Sequence, residues 1–140
     1  MIYNFCKRII DIIGAVVGLV VFSPVCLITA IAIELDCPGT ILADTPKRVG
    51  KNGKEFKFLK FRSMIPNAHQ LLHTDPKFKK LLEEYKKSSF KLHDDPRITR
   101  VGKIIRKYSI DEIPQFINVL KGEMSLVGPR AYYLFELEEQ

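Results

Sequence analysis

From Ile12 to Ile33 the chain runs 22 residues without a charge, between Asp11 and Glu34, and the run is broken only by Ser23-Pro24. At about 1.5 Å per residue a helix of that length reaches about 33 Å, enough to cross a hydrocarbon core of about 30 Å. Length alone makes it a spanning helix. A cleaved signal peptide fits less well, because the stretch is long for an apolar signal core and no small-x-small site follows before Glu34.

The flanks and the proline complicate a simple span. Lys7 and Arg8 stand before the stretch, and Lys47, Arg48, Lys51, Lys54, Lys57, Lys60 and Arg62 follow a brief acidic patch at Glu34 and Asp36. Basic residues near both ends ask both ends to stay on the cytoplasmic side. Pro24 in mid-helix removes a backbone donor and crowds the carbonyl of Val20, at about 3 kcal/mol in an ordinary helix interior. Ser23 beside it can bond a freed carbonyl and make a sharp bend tolerable in lipid. Two topologies stay open on these residues: a re-entrant helix that turns at Ser23-Pro24 and returns to the face it entered, and a kinked span.

With 140 residues the chain holds one domain, of which roughly 100 residues remain for a globular part outside the apolar stretch. Lys and Arg number 22 against 16 Asp and Glu, a net charge of +6 that favours an anionic partner such as lipid headgroups or a phosphorylated substrate. Nucleic acid is the other candidate for such a charge, but no recognition motif for it is present, and we expect no nucleic-acid partner. Cys6, Cys26 and Cys37 are odd in number and lack metal-ligand spacing, so they read as reduced thiols.

The rest reads as a compact α/β or mainly helical unit resting on the apolar segment. Glu55 to Phe61 alternates loosely between polar and aromatic residues, as a short strand does, with Phe56, Phe58 and Phe61 available for the core or the membrane interface. Phe78, Leu81, Leu82 and Tyr85 recur at helical spacing and predict one amphipathic helix. Ile98, Val101, Ile104, Ile105 and Tyr108 predict a second, interrupted by Gly102. No internal repeat or low-complexity tract is present.

The adjacent carboxylates Asp111 and Glu112 are the first residues with specific chemistry. If Asp111 caps a helix, Pro114 falls at its third position and the helix runs to Leu120 before Gly122 terminates it. If Ser109 caps instead, Glu112 completes a Ser-x-x-Glu capping box. Either way a carboxylate sits at the positive end of a helix dipole, an effect of about 0.3–1 kcal/mol. An ionised, partly desolvated aspartate can attack phosphorus, and its neighbour can help hold a divalent cation. Acidic residues at helix starts are more often plain caps. Gln115 and Asn118 follow at i+4 and i+7 from Asp111 on the expected face, and Arg97, Arg100 and Arg130 supply guanidinium groups suited to phosphate.

The chain resembles the bacterial sugar transferase family, the monotopic phosphoglycosyl transferases that begin glycan assembly on a polyprenol phosphate. The resemblance rests on Lys7-Arg8-Ile9-Ile10-Asp11, Ser23-Pro24, Arg48 to Lys54, Lys60-Phe61-Arg62-Ser63-Met64, Asp95 to Gly102, and Ser109 through Arg130, in the family's order. It implies an α/β, mainly helical fold, with a re-entrant membrane helix over residues 1–36 bent at Ser23-Pro24 and a small cytoplasmic catalytic core over 37–140. It also implies that a phosphosugar passes from a UDP-sugar to undecaprenyl phosphate with release of UMP, at the cytoplasmic face of the bacterial inner membrane, as the first membrane step of exopolysaccharide, capsule, O-antigen or glycoprotein glycan assembly. Asp111 would be the nucleophile and Glu112 its partner, both holding Mg²⁺ against the diphosphate.

By the same resemblance Arg62, Arg97, Arg100, Gln115, Asn118 and Arg130 would bind substrate. Lys7, Arg8 and Asp11 would hold the bent anchor near the headgroups, and a homo-oligomer is compatible with this scheme. Ala131 departs from the proline that usually follows the family's Gly-Pro-Arg, and the chain stops at Gln140, where family members continue; the C-terminal part of the domain is therefore expected to be missing. The competing reading is a truncated, inactive membrane-anchored remnant or a structural membrane protein.

Overall fold

The apolar stretch lies within a single helix, α1 (Ile2–Asp36), whose 35 residues extend about 52 Å at about 1.5 Å per residue. The computed structural model describes residues 1–88 and 95–134, so the last part of the expected 37–140 core lies outside the described residues. α1 is the one helix among them long and apolar enough to cross a membrane. The hydrogen bond that Pro24 cannot donate is replaced locally: the Ser23 hydroxyl donates to the Val20 carbonyl at 2.8 Å, the acceptor that the proline leaves idle.

One face of α1 is buried in two stretches, one on either side of Pro24. Asp11, Ala15, Gly18, Thr29 and Ile33 are the buried positions, and at about 100° per residue all five fall within roughly 60° of the helix circumference. The stripe therefore keeps phase across Pro24. The opposite face, including Ile10, Ile13, Val17, Val20, Val21, Leu27, Ile28 and Ile31, is exposed and apolar. So large an uncovered apolar surface needs a non-aqueous neighbour.

The globular part sits along the buried stripe. α5 (Gln115–Lys121) covers the first half of α1 and α4 (Arg100–Lys107) covers the second. Gly18 permits the first contact, since a Cβ there would stand 2.7 Å from Phe116 Cζ. At the second, Ile33, Phe61 and Ile105 form the core cluster, flanked by Cys26, Ile41, Val101 and Ile110. Thr99 caps α4 through its hydroxyl, which accepts from Gly102 N at 2.9 Å, and Asp36 at the end of α1 accepts from Val101 N at 3.2 Å. Gly102 is required by a close approach: a Cβ would lie 2.0 Å from the Ser63 carbonyl oxygen.

The remaining elements are small. β1 (Arg48–Val49) lies between β2 (Glu55–Phe56) and β3 (Tyr132–Tyr133), antiparallel to both, with Arg48 opposite Phe56 and Tyr133. α2 (Ala68–Thr74) and α3 (Lys79–Lys87) follow the sheet's first two strands in sequence. α3 bears out the first amphipathic periodicity, shifted by one 3₁₀ turn (Pro76–Phe78) in which the Asp75 carboxylate accepts from Lys77 N at 3.0 Å. α4 bears out the second, although Ile104 and Tyr108 face outward.

The strand expected over Glu55 to Phe61 is cut to two residues. Beyond Phe56 the backbone finds other partners: Asn118 bonds Lys57 O and Leu59 N, Thr45 donates to Phe58 O, and Phe61 N donates to Asp111 O. All three phenylalanines are in the core rather than at an interface.

Candidate active site

The helix-cap expectation for the carboxylate pair is corrected by the backbone. Ser109 adopts φ 55 and its side chain caps nothing; Ile110–Glu112 form a 3₁₀ turn, and α5 starts only at Gln115, after Pro114. Gly122, at φ 83, ends α5 where glycine is favoured. The carboxylates thus stand one turn before the helix, not in its first turn.

Within that turn the two acids diverge. Asp111 is 3% exposed, and its Oδ2 lies 3.1 Å from Lys60 Nζ. Its carbonyl accepts from Phe61 N at 2.9 Å, so two consecutive residues of one segment hold both ends of the aspartate. Glu112 is exposed and faces a groove of about 610 Å³. That groove runs between the 3₁₀ turn, α5 and the residues that flank the proline on α1: Phe22 and Val25 form one wall, Phe116 and Leu126 another, and Gln115 joins Glu112 at its polar end. Gln115 Nε2 is buried there without a hydrogen-bond partner among the described residues.

Arg106 adds positive charge. Its Nε donates to Ser63 Oγ at 2.7 Å. Desolvation of the guanidinium, with a smaller contribution from the Arg97 charge, lowers its pKa from the ordinary value, while the carboxylates of Asp111 and Asp95 act in the opposite direction. The side chain is exposed over much of its length, and an arginine stays protonated at neutral pH. Asp111 therefore faces Lys60 directly and feels the field of Arg106.

Several expected substrate contacts are committed elsewhere. Arg97 is buried and bonds Asp95 through Nε at 2.9 Å and Nη2 at 2.5 Å, and Ala68 O through Nη1 at 3.0 Å. Burial pushes the Asp95 carboxyl up, but the hydrogen bonds and charge of Arg97 outweigh it and hold the carboxyl below its usual range. Arg62 is also buried and donates to the carbonyl of Cys37, tying down the chain that leaves α1. Asn118 is wholly buried: its amide nitrogen donates to Lys57 O at 2.8 Å and to Glu123 Oε2 at 2.6 Å, and its oxygen accepts from Leu59 N at 2.9 Å. All three are buried and bonded to the protein's own groups. Arg100 is exposed at the first residue of α4.

Arg130 lines a second cleft, of about 740 Å³, with Lys7, Arg8, Lys51, Tyr3 and Tyr132. Lys7, Arg8 and Asp11 hold α1 to the core. Arg8 donates to the carbonyls of Val119 (2.5 Å) and Leu120 (2.6 Å), at the negative end of α5. Lys7 donates to Ser125 Oγ at 2.6 Å and Val127 O at 2.9 Å, while Asp11 accepts from Ser125 Oγ and Leu126 N.

Sequence reasoning missed Lys60, Arg106 and Ser125 as site residues. Arg48 was missed too: its guanidinium lies 4.0 Å from the Phe58 ring and 4.4 Å from that of Tyr133, fixing the strand that follows the Gly-Pro-Arg turn. Arg48, Lys60 and Ser125 all stand in the stretches that carry the family resemblance, whereas Arg106 lies outside them.

A long apolar helix docked along a small helical unit, with an acidic pair set between basic residues and that helix, defines the class. The bacterial sugar transferase model matches residues 2–140, and the chain belongs to that family. It is 46% identical over 129 residues to an Aeromonas hydrophila UDP-N-acetylgalactosamine-undecaprenyl-phosphate N-acetylgalactosaminephosphotransferase, covering 92% of this chain and 27% of that protein. It is 44% identical to the undecaprenyl-phosphate galactose phosphotransferase of Salmonella typhimurium, over 96% of this chain and 28% of the relative. With the exopolysaccharide production protein ExoY of Sinorhizobium fredii it shares 40% identity, over 94% of this chain and 58% of the relative. The chain thus spans from about a quarter to somewhat over half the length of these relatives.

Proposed function

We propose that this chain carries the catalytic core of a phosphoglycosyl transferase that moves a phosphosugar from a UDP-sugar to undecaprenyl phosphate and releases UMP. The observation that carries the reading is the position of the acidic pair: Asp111 is held by Lys60 on one side, and Glu112 opens on the other side into a groove walled by the membrane-type helix. An anionic sugar nucleotide would approach the basic side, and the apolar groove suits the first isoprene units of a lipid acceptor. Asp111 would attack the β-phosphorus, the bond to the α-phosphate oxygen would break, and UMP would leave with the electron pair. The lipid phosphate would then attack the same phosphorus and return the electron pair to the aspartate. The relatives' names supply the acceptor and the sugar-phosphate chemistry.

Mg²⁺ fits this donor set through Glu112 more readily than through Asp111. Among the described residues no three His, Cys, Asp or Glu side chains converge, but Mg²⁺ commonly takes one or two carboxylates and completes its shell with substrate phosphates and water. Lys60 already occupies Asp111 Oδ2, so the exposed Glu112 carboxylate is the freer ligand. Bound there, the ion would neutralise charge on the diphosphate.

We read α1 as re-entrant, with the core at the cytoplasmic face of the inner membrane. The support is that the core lies along both halves of α1, from Lys7–Ser125 at one end to Asp36–Val101 at the other. A transverse span would draw this charged unit into the hydrocarbon. The testing experiment is UMP release by the detergent-solubilised protein given a panel of UDP-sugars, undecaprenyl phosphate and Mg²⁺. Release that depends on the lipid and falls to background in Asp111→Asn is the expected result; an Asp111→Asn protein as active as its parent would overturn the reading.

A further inference from the structure

We propose that Lys60 is a positioning residue that divides the labour of the two Asp111 oxygens and makes the aspartate a good leaving group in the second displacement. This rests on the aspartyl reading above. Lys60 Nζ lies 3.1 Å from Oδ2, and the neighbouring Phe61 N–H holds the Asp111 main-chain carbonyl, so Phe61 fixes the backbone and the carboxylate cannot turn without breaking its contact to Lys60. Among the described residues no hydrogen bond engages Oδ1, which is thereby the attacking atom. Asp111's side chain is 4% exposed and that of Lys60 25%, which makes the lysine the open edge of the pair.

The charge moves in a definite order. When Oδ1 bonds to phosphorus and UMP departs, the carboxylate loses its negative charge and Oδ2 becomes the carbonyl oxygen of a mixed anhydride, still beside the ammonium. When the lipid phosphate oxygen then bonds to the same phosphorus, the P–Oδ1 bond breaks and the electron pair returns to the carboxylate. No proton or co-reactant is needed. The ammonium favours the carboxylate in both steps, so it opposes formation of the adduct and assists its collapse. A preorganised charge acts only where charge develops in the transition state, and here that is the second step.

The test is intact-mass measurement of the covalent phosphosugar adduct alongside transfer to undecaprenyl phosphate, in the parent, Lys60→Met, Lys60→Gln and Lys60→Arg. Lys60→Gln keeps a hydrogen bond to Asp111 without the charge and covers the case in which the methionine variant fails to fold. Both neutral variants should lose at least tenfold in lipid transfer while the fraction of protein carrying the adduct at steady state rises; Lys60→Arg should recover transfer. Adduct and transfer falling together would mark a merely structural lysine and overturn the proposal, as would neutral variants that match the parent. Asp111→Asn separates the two levels. An adduct that persists in Asp111→Asn would overturn the aspartyl reading and the Lys60 role with it, whereas an adduct lost in Asp111→Asn and unchanged in the Lys60 variants overturns the Lys60 role alone.

Discussion

At the scale of single residues, Asn118 shows how one buried side chain can organise the segments around a site. Its amide satisfies backbone groups at Lys57 and Leu59, on the segment that delivers Lys60 and Phe61 to Asp111. Asn118→Leu fills similar space but strands one donor, Leu59 N–H, and two acceptors, Lys57 O and Glu123 Oε2, at about 1–3 kcal/mol for each that stays buried. The expected outcome is a lower thermal midpoint in detergent, with the KM for the UDP-sugar unchanged in the protein that remains folded. A raised KM without loss of stability would return Asn118 to the substrate contacts. Asp95 gives a pH-dependent counterpart. Its folded pKa is depressed by Arg97, so its contribution to stability is complete above the unfolded value of about 3.9 and is lost as pH falls through the folded value. Asp95→Asn should therefore be less stable at pH 7 and show a flatter loss of stability between neutral and acid pH, as read from unfolding midpoints across that range. The sequence marked Asp111, Glu112 and the arginines as chemically capable. It could not mark which arginines are buried, because Arg97 and Arg100 look alike until Asp95 and Ala68 fold against one of them.

At the scale of elements, periodicity made the helices legible and their ends less so. The apolar run, both amphipathic stripes and the Gly122 stop all appear where side-chain spacing puts them. The strand after Glu55 and the cap before α5 do not, since each depends on partners far away in the chain: Asn118 for the one, Lys60 and Phe61 for the other. Gly102 looked like a defect in a helical stripe and is a clearance for the Ser63 backbone. Gly18 plays the same part between α1 and α5. Gly18→Leu must displace the Phe116 ring, at about 1–3 kcal/mol or more if the helices separate. Because Phe116 also walls the groove beside Glu112, lipid transfer should fall with stability. Differential scanning fluorimetry and transfer measured side by side check this, and unchanged values for both would mean that α1 and α5 are not docked as described.

At the scale of the whole molecule, what matters is that one helix presents an exposed apolar face on one side and a scaffold for the core on the other. The bonds that fasten it join residues more than 100 positions apart, Lys7 and Asp11 to Ser125 and Arg8 to the end of α5. From sequence the Lys-Arg-x-x-Asp motif reads as holding a bent anchor near the headgroups: its charges are visible there, but their partners are not. The same bonds bear on topology. Both ends of α1 are tied to one unit, so both should lie on one side of the bilayer, with Ser23-Pro24 at the deepest point. Asn4, exposed beside Lys7, and Cys37, just past the end of α1, bracket the helix. In a Cys6→Ser background, Asn4→Cys and native Cys37 should both react with a membrane-impermeant thiol reagent in inverted vesicles and both be protected in right-side-out ones. Cys26, two residues beyond the proline, should stay unreactive in either. On the re-entrant reading, Pro24→Ala removes the proline on which the turn depends and lets the Val20 carbonyl regain its ordinary helical partner, so in that variant the two cysteines should label from opposite sides. Opposite-side labelling already in the parent would make α1 a true span, and the core would then have to part from one half of the helix that it covers here.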